Sequence, residues 1–98
     1  MALKDVLAGA LRDSETTGKE REIRLQRGLI ISVQVTAAYT RLRLRRNDSK
    51  PSSSEWRTVL GSFPYPCAGV EPHEVVENGQ IVLCASWPTP ERLMDVRS

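Results

Sequence analysis

Two sets of residues in this 98-residue chain carry side chains able to do chemistry. The first is a stripe of arginines. Arg41, Arg43 and Arg45 alternate with Leu42 and Leu44, so on a strand they project from one face at intervals of roughly 6 to 7 Å. A row of cations at that interval suits a polyanion such as a nucleic-acid backbone. Arg46 adjoins the row, and Arg21 and Arg27 share its odd-numbered parity, which completes the candidate polyanion-binding set. The bland alternative is that these arginines form the wet face of an antiparallel sheet and protect it from aggregation.

The second set is Cys67, His73 and Cys84. A cysteine beside a histidine makes a nucleophile and its base, but a strand-edge histidine near a buried thiol is the commoner arrangement. As metal ligands the three lack paired C-x-x-C spacing, and a fourth ligand would have to come from Glu71 or Glu74, an uncommon structural zinc set. No Gly-rich phosphate loop, Ser/His/Asp pattern or carboxylate pair in an apolar surround is present. The expectation is therefore no enzyme, no cofactor, no bound metal, and two free thiols.

Charge placement sharpens the arginine question. The formal net charge is only +2, yet residues 19–46 hold eight basic residues against two acidic ones, a net of +6, while both flanks are acidic. Apolar content of 40% and charged content of 27% are ordinary for a globular chain. The longest apolar runs fall far short of the roughly 18 residues a spanning helix needs. Lys4 and Asp5 interrupt the apolar residues at the N-terminus, unlike a secretion signal, so the expected setting is cytoplasmic, with no membrane association and with reduced cysteines.

The elements that must position these residues centre on 29–46, LIISVQVTAAYTRLRLRR. Ile31, Val33, Val35, Ala37 and Tyr39 share one parity, and from Leu42 the apolar residues take the other. One extra residue is needed between Ala37 and Arg41, as a bulge or as a reversal. Ala-Ala-Tyr-Thr is poor turn chemistry, so a bulge in a continuous strand is expected, with Tyr39 on the apolar side. Before it, Ile23 and Leu25 belong to a first strand. A three-residue loop with Gly28 left-handed sets Leu25 opposite Leu29 and Ile23 opposite Ile31, whereas a two-residue loop would mix the faces.

The apolar spacing of Leu3, Val6, Leu7, Ala10 and Leu11 predicts an amphipathic helix over 2–13, followed by a polar linker over 14–19. Ser52 and Glu55 form a capping box ahead of Trp56, Val59, Leu60 and Phe63, which predicts a helix over 53–62 closed by Pro64. Residues 64–72 are Pro-rich and irregular. Asn78-Gly79 predicts a hairpin with Glu77 opposite Gln80 and His73 opposite Cys84. Thr89-Pro90 predicts a short C-terminal helix over 90–96.

The expected product is an α+β fold: one small domain over 1–98, with an antiparallel sheet of four or five strands and two main helices packed on it. The leading functional expectation is a non-enzymatic interaction module that binds nucleic acid or another polyanion through the arginine-rich strand face. The alternative is a protein-assembly or adaptor subunit, binding an acidic protein or a second copy of itself, that uses a sheet edge or the Pro-rich segment.

Overall fold

The computed structural model describes residues 2–67 and 69–90. Five strands, β1 (Arg21–Arg24), β2 (Leu29–Val35), β3 (Tyr39–Arg46), β4 (His73–Glu77) and β5 (Gln80–Pro88), form one antiparallel sheet in the order β1-β2-β3-β5-β4. Helix α1 (Leu3–Thr17) precedes the sheet and α2 (Ser53–Leu60) joins β3 to β4. The α+β architecture is the one the periodicity predicts.

The parity change between β2 and β3 is a reversal, not a bulge. Val35 lies opposite Thr40, and the chain turns through Thr36, Ala37 and Ala38. The turn is closed by Thr36 itself: its N–H donates to the Tyr39 carbonyl at 2.9 Å, and its hydroxyl accepts from the N–H groups of Ala38 and Tyr39 at 3.2 and 3.1 Å. A threonine hydroxyl thus supplies the local hydrogen bonding that Gly, Asn, Asp or Pro would otherwise provide. The correction moves Tyr39. As the first residue of β3, at odd parity, it shares the face of Arg41, Arg43 and Arg45 instead of the apolar side.

Register then sorts the faces. Ile31 pairs with Leu44 and Val33 with Leu42, while Leu42 and Leu44 pair with Ala85 and Leu83 of β5. These residues form a single buried cluster with Leu7 and Leu11 of α1 and Trp56 and Val59 of α2. Both helices therefore cover the same face of the sheet.

The turn before β2 follows the predicted register, with Ile23 opposite Ile31 and the Leu25 N–H donating to the Leu29 carbonyl at 2.8 Å. Gly28 takes φ +75 and Arg27 also enters the left-handed region, at φ 62. The central helix begins as expected. Ser52 accepts from the Glu55 N–H at 3.1 Å, and the Glu55 carboxylate accepts from the Ser52 N–H at 2.9 Å. Its last helical residue is Leu60, two short of the expected limit, with Gly61 as its C-cap. Phe63 is buried nonetheless, its ring 5.6 Å from that of Trp87.

The first helix outruns its predicted end by a full turn. Residues 14–17, expected as a linker, stay helical because Ser14 faces the sheet, where its hydroxyl accepts from the Val35 N–H at 2.8 Å and donates to the Lys19 carbonyl at 2.6 Å. Thr16 and Thr17 donate back to the carbonyls of Arg12 and Asp13, and Gly18 ends the helix at φ 73. The C-terminal helix expected over 90–96 lies outside the described residues.

Candidate functional site: the uncovered face and outer edge of the sheet

With both helices on one side, the other face of the sheet is built from strand residues alone. Leu42 and Leu44 face the core, so the pleat forces Arg41, Arg43 and Arg45 onto this open face. Gln34 lies opposite Arg41, Ser32 opposite Arg43 and Ile30 opposite Arg45, and Glu22 lies opposite Ser32 from the far side. Ser32 is the short side chain in the middle of that arrangement, which leaves room for long side chains from β1 and β3 to meet above it.

They meet as ion pairs. Arg43 contacts Glu20 at 3.4 Å and Glu77 on its other side. Arg45 reaches Glu22 at 3.0 Å, and Arg41 lies 3.7 Å from Glu20 while donating to the Gln34 amide oxygen at 2.7 Å. Tyr39 donates to the same Gln34 oxygen at 3.3 Å, and the Arg41 guanidinium lies 5.9 Å from its ring centroid. Three arginines of β3 thus meet three glutamates, of which Glu22 is shared with Arg24 of β1 at 3.1 Å. The aliphatic stems also cover apolar surface: Ile30 and Val82 are buried on this face although no described helix covers them. Exposed pairs of this kind contribute little stability each, about 0 to 1 kcal/mol, but they offset most of the charge of the row.

The remaining predicted arginines lie elsewhere. Arg21 pairs with Val33, on the helix side of the sheet, and its guanidinium reaches the Thr17 hydroxyl at 3.5 Å. Arg46 pairs with Leu29, contacts Glu55 of α2, and donates to the Arg27 carbonyl at 2.9 Å. Arg27 is exposed in the turn before β2. The structure therefore brings together three of the six, and adds Glu20, Glu22, Glu77, Gln34 and Tyr39 to them. Of the glutamates, Glu22 was readable in principle, since a turn at Thr36 places β1 two strands from β3 with Glu22 in the row of Arg43.

The thiol and imidazole set does not converge. His73 and Cys84 are cross-strand partners on the open face, but Cys67 packs against the core cluster on the helix side. Both cysteines are free and half-buried, less buried than expected. Burial pushes the Cys67 thiol up to about 11 and also raises that of Cys84, against the opposing charges of Arg43 and Arg41. Thiols held protonated at neutral pH are weak nucleophiles. Among the described residues, no group of three or more His, Cys, Asp or Glu side chains is placed to hold a metal ion, and no helix is long and apolar enough to cross a membrane.

The Pro-rich segment is largely occupied in closing the core. Phe63 and Tyr65 are buried, and the Trp56 indole N–H donates to the Val70 carbonyl at 3.5 Å. Tyr65 also donates to Thr40 at 3.5 Å, the buried end of a chain of hydroxyls that runs through Thr89 to the Thr36 carbonyl. The outer edge of β4 is different. No described strand pairs with it, and Val76, 73% exposed, is the one large hydrophobic residue exposed among the described residues.

Compared with known proteins, the chain matches no family model, no curated protein and no solved structure.

Proposed function

We propose that the protein is a non-enzymatic assembly module of the cytoplasm, which docks other protein surface at the outer edge of its sheet and uses its arginine-rich strand as an ion-paired wet face. The observation that carries this reading is the pairing of Arg41, Arg43 and Arg45 with Glu20, Glu22 and Glu77. A phosphate approaching that row meets carboxylates interleaved with the guanidinium groups, so binding a polyanion requires breaking the pairs as well as neutralising the ligand. The net +6 of residues 19–46 counts charge along the chain, whereas a ligand responds to charge across the face.

Polyanion binding is the second reading, and the position of Tyr39 favours it. It sets an aromatic ring beside the Arg41 guanidinium on the open face, the combination of aromatic and cation on which single-stranded nucleic acid stacks. Retention on single- and double-stranded DNA and RNA at low salt separates the two. The assembly reading expects no retention. Retention that weakens with salt at a log–log slope of about −3 on duplex DNA, and that is abolished when Arg41, Arg43 and Arg45 are all replaced by Ser, would overturn it in favour of the polyanion.

A further inference from the structure

We infer that the outer edge of β4 pairs antiparallel with the same edge of a second copy, joining two five-stranded sheets across a two-fold axis at Val75. The inference rests on the assembly reading and names its partner.

Backbone geometry supplies the first step. Glu77 and Gln80 flank the two-residue turn Asn78-Gly79, whose φ values are 51 and 76. Such a turn closes on a pair that exchanges both backbone hydrogen bonds, and hydrogen-bonded and non-hydrogen-bonded pairs then alternate along the ladder. Glu77, Val75 and His73 therefore direct their N–H and C=O groups at β5. Glu74 and Val76 direct theirs away from the sheet, where no described strand meets them.

The register of a partner follows from those two residues. Antiparallel pairing about Val75 sets Glu74 opposite Val76 of the second copy, and Val76 opposite its Glu74, so that every outward N–H finds a carbonyl. Val75 meets Val75 as a non-hydrogen-bonded pair, the closer of the two pair types. His73 meets Glu77 of the second copy on the open face, an imidazole facing a carboxylate. The segment His-Glu-Val-Val-Glu is thus complementary to itself in the register that pairs both of its outward-facing residues with each other.

Val76 distinguishes this edge from the other one. The outer strand β1 is shorter, four residues against five, and none of its residues is an exposed large hydrophobic. Pairing at β4 covers Val76, the apolar side chain this surface leaves in water. The devices that usually blunt an edge are few here: β4 has no proline between His73 and Glu77, and its charges, Glu74 and Glu77, are held by Lys50 and Arg43. An interface of a single short strand is small, which places the association in the weak range, with Kd between about 10 µM and about 1 mM.

Sedimentation equilibrium of the full chain from micromolar to millimolar concentration tests this. Val76→Pro removes only an outward N–H and is compatible with an edge strand, so it should weaken the dimer tenfold or more while the sheet remains folded by circular dichroism. His73→Lys should tighten association and His73→Glu should weaken it, because each faces Glu77 of the second copy. A wild type that stays monomeric to millimolar concentration overturns the inference; if nucleic acid is also not retained, the assembly reading stands with a different partner. A dimer that persists in Val76→Pro and is indifferent to the charge at position 73 also overturns it and moves the interface to another surface, such as the β1 edge.

Discussion

Replacing Ser14 by Ala is the sharpest test of how α1 is held to the sheet. Ser14 and Val35 are both buried, and the Ser14 hydroxyl is the acceptor for the Val35 N–H at 2.8 Å. The substitution leaves that N–H without a partner at a site closed to water, a loss of about 1 to 3 kcal/mol. The second bond, to the Lys19 carbonyl, lies beside an exposed residue where water can replace it. Its loss of about 0.5 kcal/mol is offset by the better helix propensity of Ala, worth about 0.5 kcal/mol. The expected net loss is about 2 kcal/mol, which for a domain of this size lowers Tm by about 8 to 16 °C. Urea unfolding gives the free energy, and amide exchange at Val35 locates it: that N–H should exchange faster in the variant than its strand neighbours do. Thr16→Ala is the control, since Thr16 makes a similar bond to a helix carbonyl but on the exposed side, and it should change stability by no more than about 0.5 kcal/mol. If the two variants unfold together, Ser14 is an ordinary helix residue and the account of why residues 14–17 remain helical is wrong.

Gly28→Ala should destabilise by about 1 to 2 kcal/mol, because φ is +75 there and an added Cβ would come within 3.2 Å of the Asn47 amide nitrogen; an unchanged urea midpoint would show that the turn before β2 tolerates a side chain. The Cys67 thiol, raised to about 11 from an ordinary 9, should alkylate slowly at pH 8 in the folded protein and speed up as pH approaches 11. The sign of its linkage is negative with rising pH: the unfolded thiol ionises first, so this contribution to stability is present below pH 9 and is lost between pH 9 and 11. Cys67 reacting at pH 8 as fast as in denaturant would show that it is not held protonated by burial.

How far the chain could be read depended on whether the information was local. The capping box of Ser52 and Glu55 and the Asn78-Gly79 hairpin are complete within a few residues, and both were legible. The three-residue turn ending at Gly28 was legible because only one loop length kept the apolar faces of β1 and β2 together. The end of α1 was not, because Ser14 is fixed by a strand residue far along the chain. In isolation, Ser-Glu-Thr-Thr-Gly has the composition of a linker, and only contact with Val35 makes it the last turn of a helix.

The arginine face shows the same limit at the level of function. Arg41, Arg43 and Arg45 were placed correctly on one side of a strand with Leu42 and Leu44 toward the core, since two-residue parity alone determines that. Their partners were not, because Glu20, Glu22 and Glu77 come from either side of β2 and β5 and are adjacent only once the strand order is known. One turn separates the two views: with a bulge between Ala37 and Arg41, β2 and β3 are a single strand, and the row of carboxylates beside the arginines has no place in the sheet. A basic run in sequence is therefore a statement about potential only after its cross-strand neighbours have been counted. With the arginine row ion-paired, the outer edge of β4 stands out among the described residues as an unpaired strand edge that also carries an exposed valine, Val76, and the assembly reading places its contact there.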